Sequence, residues 1–136
     1  MLDLDLGARL GVVGAVALVL CATGCASELP PHLARPGADA LSPDNVLIFG
    51  AGPLVGTTFP GGARFNVSAM SPQTGILGDS NAGGFWGPEL KFAGYDNLVI
   101  EGISEKPVYL AIRDDDVEIR DAATIWGSDT YETPAL

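Results

Sequence analysis

The stretch SNAGGFWGPELKFAGYD, residues 80–96, decides how the rest of the chain is interpreted. Glycines stand at positions 83, 84 and 87, just before an apolar pattern that predicts a short helix. Pro88 suits the first helical turn, and Gly94 is placed to end the helix after about two turns. Each glycine costs roughly 0.5–1 kcal/mol of conformational entropy relative to alanine, which suggests that a partner needs close access to the main chain.

The sequence before this loop predicts β-strands joined by tight turns. Residues 45–52, NVLIFGAG, form a short apolar run that ends at glycine, as in a buried strand. Residues 63–70, ARFNVSAM, alternate between apolar and polar, which puts Arg64 on the polar face of a strand. The segment SPQTG at 71–75 predicts a turn, and 76–80 is a weaker strand candidate.

The C-terminal third predicts further antiparallel structure. Residues 97–103, 108–113 and 117–121 have the hairpin signals of a three-stranded meander, and residues 122–127 suit one helical turn. Such a meander needs another layer to cover its apolar face. The predicted fold class is therefore α+β and β-rich, with antiparallel sheets and a short helix after a glycine-rich loop.

The N-terminal region allows two interpretations. Residues 10–27, LGVVGAVALVLCATGCAS, are 18 consecutive uncharged residues, near the lower limit for a membrane span. One interpretation is a helix buried in a cytoplasmic domain. The other is an exported or membrane-anchored chain, with Cys25 as the lipidated residue. Against export, Asp3 and Asp5 precede the apolar run, where a signal peptide needs positive charge.

These patterns divide the chain into two parts. Residues 1–40 comprise the apolar segment and a proline-rich connection, and residues 41–136 form the main domain, incomplete at its C-terminus. The only histidine, His32, lies in the connection and is predicted to be a solvated loop residue. Cys21 and Cys25 are too few to hold an iron–sulfur cluster or zinc alone and are predicted to be reduced thiols.

Composition narrows the classes of function. The chain has 136 residues, with 7 basic against 17 acidic ones and a net charge of −10. This balance argues against a nucleic-acid partner, because recognition of the phosphate backbone depends on basic side chains. A hydrophobic content of 47% indicates a globular rather than a disordered chain.

The glycine-rich loop suggests an anion site. Backbone N–H groups without intervening side chains, beside the positive end of a helix, favour phosphate. The spacing matches neither a Walker motif nor a dinucleotide fingerprint. Arg64 ends a second glycine-rich segment, residues 50–66, and its guanidinium suits phosphate or a planar heterocycle. The alternatives are that the glycines serve tight turns and close helix–sheet packing, and that Arg64 forms a surface salt bridge.

A family resemblance adds to these patterns. Residues 40–102 read ALSPDNVLIFGAGPLVGTTFPGGARFNVSAMSPQTGILGDSNAGGFWGPELKFAGYDNLVIEG. They resemble the N-terminal domain of the aldehyde ferredoxin oxidoreductase family, tungsten- or molybdenum-pterin enzymes. The resemblance extends from about Leu41 to Thr133 and carries many consecutive motifs in the family order.

The resemblance implies a β-rich platform for a tungsten- or molybdenum-bis-pterin cofactor bridged by magnesium. Arg64 corresponds to an arginine that contacts the pterin. Asn81 corresponds to the asparagine whose main-chain carbonyl faces the magnesium ion. Ala82 and Gly83 would offer backbone contacts to the cofactor, and Gly84 would keep the approach open.

The resemblance also implies an activity for the complete enzyme. An aldehyde would be oxidised to a carboxylic acid, and electrons would pass through a [4Fe-4S] cluster to ferredoxin. The ligands of that cluster are absent from this chain, so the missing C-terminal domains or a partner subunit would have to supply them. No catalytic residue is predicted here. The alternative is a non-catalytic module, exported or lipid-anchored, that keeps only the fold.

Overall fold

The computed structural model describes residues 10–13, 16–21 and 37–133, in which antiparallel strands are the dominant regular structure. The elements are β1 (Leu10–Val13), β2 (Val16–Cys21), β3 (Val46–Ala51), β4 (Phe65–Met70), β5 (Leu77–Ala82), α1 (Trp86–Phe92), β6 (Asn97–Gly102), β7 (Val108–Arg113) and β8 (Asp116–Asp121). The predicted α+β, β-rich class with a short helix after the glycine-rich loop is confirmed.

Six strands form one sheet in the order β1-β2-β6-β3-β4-β5, and each neighbouring pair is antiparallel. The interior strand β6 lies between β2 and β3, so that Val99 faces Val19 on one side and Ile48 on the other. Leu98 and Val99 are only 3% and 4% exposed. Because successive residues of a strand point to opposite faces, the sheet is covered on both faces at β6.

The helix packs on the sheet through a small apolar core. Leu90, Tyr95 and Leu98 are its fully buried members. The partly buried side chains around them come from the sheet, the end of the helix and the β7–β8 hairpin: Phe49, Ala93, Ile100, Leu110, Ile112 and Val117. Each large apolar side chain buried in this way contributes about 1.5–3 kcal/mol. The core therefore joins three separate parts of the chain.

The predicted helix stop at Gly94 is confirmed. Gly94 has a φ of +94°. Its N–H donates to the Lys91 carbonyl at 3.0 Å, and the Tyr95 N–H donates to the Leu90 carbonyl at 3.1 Å. This pair of bonds is the Schellman motif, in which a left-handed residue satisfies the last carbonyls of a helix. Tyr95 and Leu90 also share the core, which is the apolar contact that accompanies the motif.

The strands predicted before the helix are also confirmed, as β3, β4 and β5. The turn predicted at 71–75 is closed by a 2.8 Å bond from the Gly75 N–H to the Ser71 carbonyl. In the segment 122–127, the N–H groups of Ile125 and Trp126 both donate to the Ala122 carbonyl, which gives the single turn predicted there.

The predicted three-stranded meander is wrong. β7 and β8 pair with each other in a separate two-stranded sheet, whereas β6 belongs to the six-stranded sheet. The reason is that both edges of β6 are occupied, by β2 and β3, so no edge is left for β7. Hairpin signals describe neighbours in sequence and do not reveal a distant strand that takes the same edge.

The predicted N-terminal helix is also wrong where the structure describes it. Residues 10–13 and 16–21 form the strands β1 and β2, which pair with each other. Valine is frequent in both strands, and β-branched residues favour extended backbone. β2 also gives β6 its second neighbour. Cys21 ends β2, while Cys25, His32 and the remainder of 22–36 lie outside the described residues. The boundary at residue 40 and the export alternative stay predictions.

Among the described residues, none of the helices has the length and hydropathy needed to span a bilayer.

One asparagine ties the start of β3 to the end of β4. The Asn45 side-chain amide donates to the carbonyls of Ala40 and Met70 at 2.7 and 3.1 Å. Its oxygen accepts from the N–H groups of Val46 and Met70 at 2.9 and 3.1 Å. We expect Asn45→Asp to destabilise the chain by about 2 kcal/mol, because a half-buried carboxylate would replace two donors and face two carbonyl oxygens.

Thermal or urea unfolding of the 136-residue chain measures this change. Gln73→Glu, which makes the same change of charge in the exposed turn at 71–75, is the control and should unfold like the wild type. Equal stability of the two variants would contradict the role assigned to Asn45.

Candidate functional site

The predicted site residues meet at one end of the β4–β5 pair. Arg64 immediately precedes β4, and Asn81 and Ala82 are the last residues of β5. Gly83 and Gly84 follow, in the loop before α1. The register places Phe65 opposite Ala82, so continuing it by one step brings Arg64 beside Gly83. The structure therefore brings all five predicted residues together.

Arg64 and Asn81 are directly bonded. The Arg64 Nε–H donates to the Asn81 side-chain oxygen, and Nη2 donates to the Asn81 main-chain carbonyl at 3.2 Å. Both residues are exposed. The two glycine-rich segments, which are separate in sequence, thus form one site. These hydrogen bonds hold the guanidinium at the C-terminal end of β5.

The charge of Arg64 is not neutralised by this partner, because an amide carries none. The ion pairs described among residues 37–133 join Lys91 to Asp96 and Arg120 to Glu118. In the second pair the Glu118 carboxylate, 2.6 Å from Arg120, raises the pKa of that guanidinium. The salt bridge considered for Arg64 is thus not found among the described residues. A positive group beside a neutral amide suits an anion from outside.

Three consecutive backbone donors follow β5, and the first of them, on Gly83, lies close to the guanidinium, since a Cβ built there would be 3.8 Å from the Arg64 Nη1. The N–H groups of Gly83, Gly84 and Phe85 have no hydrogen-bond partner among the described residues. All three residues are exposed. Gly84 has a φ of +101°, and a Cβ placed on it would meet nothing within 4 Å. The main chain is therefore exposed at these three residues.

The third glycine of the loop has a different role. Gly87 is buried, and a Cβ built on it would lie 3.3 Å from both the Phe65 Cβ and the Val55 Cγ1. It lets the first turn of α1 lie close against the start of β4. The two interpretations of the glycines, open main chain and close packing, thus apply to different members of one motif.

Sequence reasoning missed an aromatic cluster beneath the site. The Trp86 ring lies 4.5 Å from that of Phe65 and 5.2 Å from that of Phe49, centroid to centroid, with the rings tilted by 44° and 45°. The available signal was the placement of Phe65 on the apolar face of β4 and of Trp86 in the first turn of α1. Phe85, next to Trp86, is 85% exposed.

The donors gathered here favour a multiply charged anion. A guanidinium and three free N–H groups provide hydrogen-bond donors without a carboxylate among them. Within the described residues, no three His, Cys, Asp or Glu side chains converge as metal ligands. The groups present therefore fit phosphate or heterocycle oxygens of an organic ligand.

In the described part of the chain, the fold is antiparallel sheet with one short helix, and the site is a cluster of exposed hydrogen-bond donors at one end of the β4–β5 pair. A sequence profile described as "Aldehyde ferredoxin oxidoreductase, N-terminal domain" matches residues 13–136. The chain belongs to the aldehyde ferredoxin oxidoreductase family, whose N-terminal domain it represents.

Named relatives and a solved structure are consistent with this family assignment. The chain is 56% and 57% identical over 100 residues to tungsten-containing aldehyde ferredoxin oxidoreductases of Pyrococcus furiosus and Thermococcus kodakarensis, covering 74% of this chain and 16% of each relative. It also resembles the active site complex BamBC of benzoyl coenzyme A reductase, with a TM-score of 0.73 and 48% identity over 76% of this chain and 16% of that one. The chain thus spans about one sixth of the length of these relatives.

The two roles of the glycines can be separated by experiment. We expect Gly87→Val to destabilise the chain by about 2 kcal/mol or more, because its side chain would push α1 away from Phe65 and Val55. Gly83→Val should change stability by less than about 1 kcal/mol, since the nearest atom to a Cβ there is the Arg64 Nη1 at 3.8 Å. Urea unfolding of the two variants measures the difference, and equal losses would contradict the division of roles.

Proposed function

We propose that this chain is the N-terminal, cofactor-binding portion of a tungsten- or molybdenum-pterin aldehyde:ferredoxin oxidoreductase. The observation that carries the proposal is the arrangement of Arg64, bonded to Asn81, beside three free N–H groups at one end of a sheet. This arrangement lies in a chain that is more than half identical, over 100 residues, to enzymes named as tungsten-containing.

The residues present fit a phosphorylated pterin. The Arg64 guanidinium would bind phosphate or the carbonyl edge of the heterocycle, and the N–H groups of Gly83 and Gly84 would bind further oxygens. Ala82 would offer a backbone contact, and the open space at Gly84 leaves room for the approach. When bound, the cofactor supplies the redox chemistry at its metal. The chain supplies binding and orientation.

Asn81 would act through both its main-chain carbonyl and its side chain. Its main-chain carbonyl accepts one bond from the Arg64 Nη2. A carbonyl oxygen has two lone pairs, so the second would remain available to a magnesium ion bound with the cofactor. Its side-chain oxygen meanwhile holds the Arg64 Nε–H. The arginine and the carbonyl would thus be oriented by these two hydrogen bonds before any ligand arrives.

The remaining parts of the reaction would come from outside this chain. An aldehyde and water give a carboxylic acid, two protons and two electrons, and a [4Fe-4S] cluster would pass the electrons to ferredoxin. The cluster ligands, the substrate pocket and the general acids and bases belong to the domains or subunit that complete the enzyme. We therefore propose that the chain alone is inactive.

The choice of an aldehyde as substrate rests on the relatives. Identity to the aldehyde ferredoxin oxidoreductases is 56% and 57%, against 44% to an aliphatic sulfonate oxidoreductase subunit of Pyrococcus furiosus. A relative that is 38% identical, a glyceraldehyde-3-phosphate:ferredoxin oxidoreductase, is also named for an aldehyde. The site described above contacts no part of a substrate, so it supports the cofactor class rather than the aldehyde itself.

Metal content tests the proposal. We expect the completed assembly, purified from cells supplied with tungstate or molybdate, to contain the metal. Arg64→Gln should lower the metal per polypeptide about tenfold, because charge-assisted bonds to the ligand are lost. Arg120→Gln is the matched control, since Arg120 is paired with Glu118 on β8. Elemental analysis gives the result. A wild-type assembly without tungsten or molybdenum would overturn the proposal in favour of the non-catalytic alternative.

A change of charge at Asn81 gives a second test. Asn81→Asp would pair a carboxylate with Arg64 and repel an anion. We expect metal content to fall several-fold, while the unfolding free energy changes by less than about 1 kcal/mol, as is usual for an exposed pair. Gln73→Glu adds the same charge at the exposed turn and should keep the metal. Unchanged metal in Asn81→Asp would count against an anionic ligand at this position.

A further inference from the structure

Trp86 lies next to one part of the anion site in sequence and contacts the neighbour of the other part. Arg64 directly precedes Phe65, and the free N–H groups of Gly83, Gly84 and Phe85 directly precede Trp86. The rings of Phe65 and Trp86 lie 4.5 Å apart. Besides the β4–β5 pairing and the Arg64–Asn81 bonds, this ring contact joins the two parts on the side of the helix.

Two further contacts support the packing of Trp86 against Phe65. Phe49, on the neighbouring strand β3, lies 5.2 Å from the Trp86 ring and supports it from the middle of the sheet. Gly87 lets the helix come close enough for the contact, since a Cβ built on it would lie 3.3 Å from the Phe65 Cβ. Tilted aromatic pairs prefer a defined distance and angle, unlike aliphatic contacts. The ring contacts thus restrain the start of α1 relative to the start of β4.

We infer that Trp86 is a positioning residue for the anion site, acting through Phe65 on Arg64 and through the chain on Gly83, Gly84 and Phe85. The identity of the ligand rests on the proposed function, but the positioning exists without ligand. The Arg64 to Asn81 hydrogen bond is the reporter, because it joins the residue before β4, whose neighbour Phe65 contacts Trp86, to the end of β5.

The test uses the full 136-residue chain labelled with ¹⁵N. Hydrogen exchange at the Arg64 Nε–H, assigned by its loss in Arg64→Lys, is the readout. We expect Trp86→Leu to speed this exchange about tenfold, since two ring contacts are removed. Trp86→Phe should keep the exchange rate within about threefold of the wild type, because an aromatic ring still packs against Phe65 and Phe49.

Trp126→Leu is the matched control. Trp126 is 72% exposed and makes neither of the two described ring contacts, so exchange at Arg64 should not change. Phe49→Leu removes only one of the contacts and should give an intermediate rise, which decides the question if Trp86→Leu does not fold. A lower melting temperature with unchanged exchange at Arg64 in the Trp86 and Phe49 variants would overturn the inference.

Metal content separates this inference from the proposed function. In the completed assembly we expect Trp86→Leu to lower tungsten or molybdenum several-fold and Trp86→Phe to restore most of it. A wild-type assembly without either metal overturns the proposed function, and the exchange measurement then decides the positioning role alone. Full metal content in Trp86→Leu overturns the positioning role.

Discussion

Packing of α1 against the sheet is the constraint on which the site depends. A helix of seven residues, Trp86–Phe92, is too short to be stable alone in water, so its position comes from tertiary contacts. At its C-terminal end the buried Leu90 and the Schellman bonds hold it over β6. At its N-terminal end Trp86 and Gly87 hold it against β4. The loop with the free N–H groups of Gly83, Gly84 and Phe85 lies at this second end. The helix contacts hold the end of the loop in place, and the loop itself stays exposed to solvent.

The electrostatic setting of the site restricts how it binds. The chain as a whole carries a net charge of −10, which repels anions at long range, and Arg64 is the only basic residue between Arg35 and Lys91. At physiological salt this repulsion is screened beyond about 8 Å. Binding would thus depend on short hydrogen bonds from the guanidinium and the main chain. A site built in this way selects shape and charge at contact distance, which suits a rigid heterocyclic cofactor retained by an enzyme better than a diffusing anion.

The sequence predicted the local elements well because their signals are local. Pro88 and Gly94 bounded α1, and alternation located β4. It also named the residues that gather at the site, whose roles toward a cofactor stay predictions. It did not predict the bond between Arg64 and Asn81, which depends on strand register across 17 positions. For the apolar run at 10–27 the sequence allowed a buried helix or an exported or anchored segment and did not suggest the strands at 10–13 and 16–21, because an uninterrupted apolar segment has no periodicity to distinguish a buried strand from a buried helix.

The position of β6 between β2 and β3 has a consequence for how the polypeptide acquires its structure. Val19 pairs with Val99, and Ile48 pairs with the same residue, so the middle of the sheet closes only when segments eighty and fifty-one positions apart have met. Contacts so distant in sequence slow folding, because the intervening chain must first be confined. During synthesis on the ribosome, the apolar β2 and β3 would emerge well before their shared partner, and a chaperone that shields extended apolar segments would act in that interval.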